Sequence, residues 1–354
     1  MRPLTEWTIS QTRNRIYDAP MHATPETSPV KPRRSNRARV LAVLCWFCLL
    51  AMIGLIAYLR TEGDRTGLAT IMLFFPRWVF SLPALLLLPT ARYRLCWVPL
   101  VLLVITAVFP LMGFCLGWDR LADRSVQGQP IRVLAFNLHR IPLSTPGFKE
   151  YLAEANPDLL LFEEITDRVD RQYLPAGLTH ITRHGELCVV SRYPLNLTKM
   201  LQPEIMIRYT VDLPSGPLDL IGVHLSSPHW ALKHSLLGSE GSEEELGRNI
   251  SNRRWQAQRL LAELQSTSGR PLIIAGDFNL VPDSPVFTAN LSSMGDAFES
   301  RGFGFGWTYF YQHAMVRIDH VLFNDHLICQ SCQVGPNLGS PHHPVLAELV
   351  IKKQ

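Results

Sequence analysis

The hydrophobic rhythm of the chain changes once, near residue 120. Before that point apolar residues come in long charge-free runs. Val40 to Leu59, VLAVLCWFCLLAMIGLIAYL, and Leu95 to Trp118, LCWVPLVLLVITAVFPLMGFCLGW, each have the length a helix needs to cross the hydrocarbon of a bilayer, and Trp97 and Trp118 are placed as interface anchors. Between them, Gly67 to Pro89 is apolar but interrupted by Pro76, Arg77 and Pro83, which predicts a kinked span or a re-entrant segment. After residue 120 the runs shorten. They predict strands at Ile131–Phe136, Asp158–Phe162, Glu186–Val190, Ile207–Leu213, Leu218–Val223, Pro271–Ala275, Ile318–Phe323 and Val345–Val350. Helices are predicted at Gly147–Ala155, stopped by Asn156-Pro157, and at Leu246–Leu264, where apolar residues fall near helical spacing. Strands without regular alternation with helices point to a mixed α/β sandwich.

Charge divides the chain at the same place. Residues 1–120 carry 14 Lys and Arg against 6 Asp and Glu, net +8, and residues 121–354 carry 20 against 24, net −4. Lys31, Arg33, Arg34, Arg37 and Arg39 precede the first span and put the N-terminus in the cytoplasm. Two spans would leave Arg60, Arg65, Arg77, Arg92 and Arg94 outside. Three spans, at about 40–59, 67–89 and 95–118, place Arg92 and Arg94 in a short cytoplasmic loop. The expectation is therefore an integral protein of the cytoplasmic (inner) membrane with its C-terminal domain extracytoplasmic. Residues 1–36 read as a disordered polar tail, 37–120 as the membrane region, 121–130 as a linker and 131–354 as one domain. Cys329-Gln-Ser-Cys332 has no second pair to complete a zinc site, so these cysteines and Cys188 read as core. A domain at −4 lacks the basic footprint of a duplex DNA binder.

The candidate chemistry sits where the strands stop. VLAFNLH ends in Asn137, DLLLFEEIT in Glu163 and Glu164, LIGVHLSSP in His224, and PLIIAGDFN in Asp277 and Asn279, while RIDHVLF opens with Asp319 and GSPHHPV carries His342 and His343. Singly, each is an ordinary turn or solvated residue. Together they put carboxylates, amides and imidazoles at the strand ends, where α/β sheets commonly hold ligands. Side-chain alternation also predicts that Asp277 and Asn279 leave their strand on the same side.

The ordered set FN, PDLLLFEE, VVSRYPL, VHLSSP, RRWQ, GDFN, RIDHVLF and SPHHPV resembles the endonuclease/exonuclease/phosphatase superfamily of metal-dependent phosphoesterases, in a membrane-anchored bacterial-type form. The resemblance covers about residues 131–351 and implies a four-layer α/β sandwich, two mixed β-sheets flanked by helices, here preceded by an N-terminal helical transmembrane region. It implies Mg2+, or Mn2+ in its place, held by Glu164 beside Asn137. It also implies Asp277 as the residue that orients or deprotonates the attacking water, with Asn279 holding the phosphate. His342 would donate to the phosphoryl oxygen, Asp319 would fix the tautomer of His342, and His224 would clamp the phosphate.

One position departs from the superfamily pattern, in which Ser-Asp-His-x-Pro closes the domain. This chain has Pro341 in place of the Asp, and a proline side chain neither binds metal nor accepts a hydrogen bond. The implied activity is hydrolysis of a phosphodiester by water, on a phospholipid, a nucleic acid or a small phosphodiester. The competing readings are a binding or scaffold protein with a degenerate site, favoured only by Pro341, and a channel with a regulatory domain, for which Arg77 alone is little material. His229-Trp230 and the aromatic run Phe303 to Tyr311 read as loop packing, with contact to a lipid surface or stacking on a base as the alternatives, and nucleic-acid strand contact is the alternative for Arg253-Arg254. The two arginines read as a solvated helix face.

Overall fold

The computed structural model describes residues 36–117, 119, 127–166, 168–266, 269–311 and 314–353. Residues 1–35 of the predicted polar tail, most of the predicted linker and Trp118 lie outside the described residues, and Asn36 already belongs to the first helix.

The chain begins with helices α1 (Asn36–Glu62) and α2 (Gly67–Phe74), then short helical turns from Arg77 to Cys96 that include α3 (Leu82–Leu87). Next comes α4 (Trp97–Thr106), which continues as a turn of π-helix through Pro110. Pro110 has no N–H to give the α-helical ladder, and the widened turn accommodates it. The segments Asn36–Glu62 and Arg94–Leu111 are long and apolar enough to cross a membrane, while Gly67–Phe74 and Arg77–Arg92 form a pair bent by 86°. The Cys96 thiol lies 3.9 Å from the Ala38 carbonyl and Cys45 lies 3.6 Å from Thr90 Oγ1, so the two long segments start at the same end.

From residue 128 the elements are β1 (Gly128–Asn137), α5 (Phe148–Ala155), β2 (Leu159–Glu163), β3 (His180–His184), β4 (Leu187–Ser191), β5 (Leu195–Gln202), β6 (Met206–Leu213) and β7 (Gly216–His224). They continue with α6 (His229–Leu236), α7 (Ser242–Ser266), β8 (Leu272–Asp277), α8 (Pro285–Leu291), β9 (Gly295–Asp296), α9 (Ala297–Arg301), β10 (Tyr309–Tyr311), β11 (Ala314–Val316), β12 (Asp319–Phe323), β13 (Leu327–Val334) and β14 (Val345–Lys352). One sheet has the order β13-β14-β1-β2-β4-β3 and the other β5-β6-β7-β8-β12-β9, with β10-β11 as a separate ribbon. Pairs β1–β2 and β7–β8 are parallel within otherwise antiparallel sheets.

Period-two alternation builds the layers. Ile131, Val133, Ala135, Leu159 and Leu161 face Tyr209, Leu218, Leu220, Ile273, Ala275 and Val321 between the sheets. The alternate residues Leu134, Phe136, Leu160 and Phe162 pack outward on Phe148 and Leu152 of α5, and Ile221, Val223 and Ile274 pack on Ala257 and Leu260 of α7. Helix–sheet–sheet–helix is the four-layer sandwich expected from the sequence, and each large side chain buried in it contributes about 1.5–3 kcal/mol. Cys188, Cys329 and Cys332 are buried free thiols. The predicted strands and helices are present with boundaries shifted by a few residues. The elements without a prior prediction are short or at sheet edges: β3 and β5 each pair on one side only, and β5 is mostly exposed, so neither needs an apolar alternation.

The membrane-type segment is not a free tether. Leu73, Ala84, Leu103 and Leu111 share one apolar cluster with Val281, Val316 and Ile318 of the sandwich. Arg77 pairs with Asp283 and donates to the Leu111 carbonyl at 3.2 Å, so this cation sits at the junction and not within a pathway. Cys115 and Gly304 exchange backbone hydrogen bonds of 2.8 and 3.0 Å. Arg253 corrects the sequence reading most sharply: it is fully buried, paired at 2.5 Å with the equally buried Asp64, and lies over the Phe74 ring. A helical Arg at spacing suited to solvent was drawn inward because the α1–α2 turn supplies its counter-charge.

Candidate active site

The alternation that builds the core also builds the site. Continuing inward past Ala135, Leu161, Gly222, Ala275 and Val321, the next inner positions are Asn137, Glu163, His224, Asp277 and Asp319, all at one end of the sandwich. Register brings them together: Asn137 is opposite Glu163, His224 opposite Asp277, and Asp277 opposite Asp319. His342 arrives from the loop before β14.

Asp277 is the convergence point. Its Oδ2 accepts from the side-chain amides of Asn137 and Asn279, each at 3.0 Å, and its Oδ1 accepts from the Asn279 backbone N–H at 2.8 Å. His224 Nε2 and His342 Nε2 each lie 3.9 Å from Oδ2. Burial pushes the Asp277 carboxyl up to about 6, with the Asp319 charge adding to the rise and the two histidines opposing it. His342 Nδ1 lies 3.0 Å from both Asp319 oxygens. Burial lowers the His342 pKa, but the Asp319 charge and hydrogen bond outweigh it and hold the ring near 9, so its Nε2 carries a proton toward the cleft at neutral pH. The backbone N–H groups of Ile318 and Asp319 both donate to Thr308 Oγ1, fixing the start of β12.

Asn279 does not reach its place by strand alternation, because β8 ends at Asp277. It sits in a left-handed turn with φ 49°, and its amide also donates to the Leu225 carbonyl at 2.9 Å. Arg253 Nη1 holds the Asn279 carbonyl at 3.2 Å, and His320 bonds Asp296 and the Leu280 carbonyl, so the turn is braced from both sides. The adjacent acids take opposite environments. Glu163 is the inward strand residue, fully buried with no hydrogen-bond partner on either oxygen among the described residues, and burial followed by the Asp319 and Asp277 charges raises its pKa well above the ordinary carboxylate value. Glu164 has φ 52°, which swings its carboxylate to the cleft, 3.2 Å from the Asn137 amide and 3.7 Å from His224 Nε2.

Gly276 is required here. Its φ is +134°, and a Cβ would lie 2.1 Å from the Val223 carbonyl oxygen and 2.7 Å from Glu163 Oε1. Gly276→Ala is expected to lower the thermal midpoint by several degrees and to reduce turnover, read by melting curves and kinetics on one preparation; a wild-type melting curve would contradict this close approach.

The closing motif keeps its scaffold despite Pro341. Ser340 Oγ donates to the Asn137 carbonyl at 2.8 Å and accepts the His342 N–H at 3.1 Å. His343 does not replace the missing acid: its Nδ1 bonds the Gly335 carbonyl and its ring packs on Phe310. Sequence reasoning missed Tyr309, whose ring lies 4.7 Å from that of His342 and whose hydroxyl meets His229 Nδ1 at 3.2 Å. Its only signal was membership of the aromatic run. Asp277, Asp319 and His342 can present ligand atoms within 4.8 Å of one another, a group able to hold a metal ion. His342 and Asp319 are already committed to each other, which leaves Glu164, whose side chain is one-fifth exposed, as the carboxylate open to the cleft.

The profile described as the Endonuclease/Exonuclease/phosphatase family matches residues 134–342, a span holding Asn137, Glu164, His224, Asp277, Asn279, Asp319 and His342. The chain belongs to the endonuclease/exonuclease/phosphatase family. Members of this family are hydrolases of phosphate esters that use divalent metals. Among solved structures, the chain is similar to an endonuclease/exonuclease/phosphatase from Beutenbergia cavernae, at 18% identity over 63% of this chain and 72% of that one, with a TM-score of 0.46. It is also similar to an AP endonuclease from Archaeoglobus fulgidus (16% identity, 61% and 98% covered, TM-score 0.44) and to sphingomyelinase C from Streptomyces griseocarneus (13%, 62% and 99%, 0.41). No curated protein matches the chain.

Proposed function

We propose that this protein is a membrane-anchored, divalent-metal-dependent phosphodiesterase. The observation that carries the reading is the convergence on one buried carboxylate, Asp277, of two amides and two imidazoles, with one imidazole held protonated by its own carboxylate. Water attack on a phosphodiester needs an oriented nucleophile, donors for the phosphoryl oxygens and a stabilised leaving oxygen. Asp277 orients the water and takes its proton. Asn279, His224 and the Nε2–H of His342 donate to the phosphoryl oxygens, and Asp319 keeps the His342 ring cationic and aimed. Glu164, with Asn137 beside it, is the set for Mg2+ or Mn2+, because hard cations of this kind take one or two carboxylates and complete their shell with water and substrate oxygens. A cation held there would neutralise charge on the phosphoryl oxygens.

The same reading places the chain in the cytoplasmic membrane with three passes. Arg77 meets Asp283 at the sandwich while Thr90 and Cys96 lie beside Cys45 and Ala38, so the segment Arg77–Arg92, the second arm of the bent pair, returns the chain from one end of α1 to the other. Three passes put the N-terminus and the residues 131–354 domain on opposite faces, and the positive-inside bias makes the domain extracytoplasmic.

The test is hydrolysis of bis-p-nitrophenyl phosphate by the full-length protein in detergent. Turnover is expected with Mg2+ or Mn2+, is abolished by EDTA and returns on adding metal. Glu164→Ala is expected to raise the metal concentration needed for half-maximal rate by about 10-fold or more, in keeping with loss of its one carboxylate ligand. A folded protein that gives no turnover with either metal would favour the degenerate-site reading.

A further inference from the structure

The end of the sandwich that carries the site is also the end that meets the membrane segment. Val281 and Asp283 lie on the loop that leaves Asp277, and Val316 and Ile318 immediately precede Asp319; all four contact the helical segment, which ends directly on the sandwich through the Cys115–Gly304 pairing. Tyr309, which packs on the same cluster, is the ring against His342. From there a line of rings runs outward: Tyr309 to His229 through the 3.2 Å hydrogen bond, then His229 edge-on to Tyr311 at 4.5 Å and to Trp230 at 5.3 Å.

That line ends on α6, whose apolar residues face two ways. Ala231 and Leu232 pack with Leu246 and Ile250 of α7 and with Ile71 of α2, so α6 lies against the helical segment. Trp230, Leu236 and Leu237 turn outward, 60%, 62% and 70% exposed, with the Lys233 ammonium 4.9 Å from the Trp230 ring. The loop into α6 is fixed to α7, where Gln256 Oε1 accepts the Ser226 N–H and the amides of Asn252 and Asn249 donate to Ser226 Oγ and the Ser227 carbonyl. An indole, an ammonium and two leucines beside membrane helices are the set that settles at the boundary of headgroups and acyl chains.

We propose that α6 lies in the headgroup layer of the bilayer that the helical segment crosses, and that the substrate is a phosphodiester carried by a lipid headgroup, reaching Asp277 and His342 along the Tyr309–His229–Trp230 wall. This rests on the phosphodiesterase reading above and narrows its substrate. A phosphodiester buried in a long duplex would have to enter at the end of the sandwich facing the bilayer, against a domain of net −4.

The test uses the full chain in nanodiscs. With EDTA present, the tryptophan emission lost in Trp230→Phe is compared in discs with and without brominated acyl chains. Quenching of that difference signal is expected, and its absence overturns the lipid docking whatever the protein catalyses. With Mg2+, wild type is expected to hydrolyse phosphatidylglycerol or phosphatidylethanolamine in the disc. Leu236→Glu/Leu237→Glu is expected to lose about 10-fold or more of that rate while keeping its rate on soluble bis-p-nitrophenyl phosphate. Faster cleavage of a single-stranded oligonucleotide than of either lipid, unaffected by the double variant, overturns the proposal in favour of a nuclease. Failure on bis-p-nitrophenyl phosphate as well, with quenching intact, locates the error in the phosphodiesterase reading.

Discussion

Asp277→Ala is expected to lower kcat on bis-p-nitrophenyl phosphate by about a thousandfold, the middle of the range for a positioned general base. The residue is 1% exposed, and Asn137 and Asn279 direct three N–H donors at its two oxygens. No neighbour is free to take over: Asp319 is occupied by His342, Glu163 is buried beneath the cleft, and Glu164, which shares the Asn137 amide with Asp277, is the carboxylate proposed for the metal. Stability should change little, because two effects oppose. The folded pKa of about 6 lies above the ordinary 3.8, so the Asp277 charge disfavours the folded state increasingly as pH rises from 3.8 to 6, and that penalty is fully present at pH 8; removing the group removes it. Against this, the amides of Asn137 and Asn279 lose an acceptor, at about 1–3 kcal/mol. A melting midpoint within about 5 °C of wild type is expected at pH 8. A variant within threefold of wild-type kcat would remove Asp277 from the chemistry.

Breaking the Asp64–Arg253 pair is expected to have the largest effect on stability, about 3–5 kcal/mol for Asp64→Ala, because it leaves a guanidinium buried without its counter-charge. Both side chains are fully buried, and Arg253 also bonds Asn249 and the Asn279 carbonyl, so the loss should reach the catalytic turn and lower kcat as well. The companion double variant Asp64→Leu/Arg253→Met removes both charges and is expected to recover much of the melting midpoint but not kcat, since the Asn279 carbonyl stays unheld. Thermal melts and kinetics on the same detergent preparations test both. Equal midpoints for wild type and Asp64→Ala would show that the pair contributes nothing. The pair also implies that residues 121–354 produced alone are unstable. They would expose Val281, Val316 and Ile318 and leave Arg253 without Asp64. Enzymology on this protein therefore needs the full chain.

The sequence by itself determined the two-part plan, the strand ends and their chemistry. Long uncharged runs and short alternating runs have different periods, and a period-two strand commits its last residue to the same face as its core residues. Ala135 and Asn137, or Ala275 and Asp277, were bound to face the same way wherever the strands lay. GDFN after an apolar strand and the order of the other motifs then pointed to the family. Tertiary structure decided what depends on partners distant in sequence. Adjacent Glu163 and Glu164 look alike in the chain; only the left-handed turn at Glu164 and the packed floor under Gly276 make one an open carboxylate and the other a sealed acid whose pKa burial raises. His342 and His343 are likewise parted by Asp319 on one side and Gly335 on the other. Arg253 looked solvated because its partner is 189 positions away, and the alternatives open for Trp230 narrowed, with Leu236 and Leu237 joining it, only when Ile71 of α2 packed into the α6–α7 cluster. Local patterns fix which way a side chain points. Long-range contacts fix what it meets, and charge, burial and access follow from that meeting.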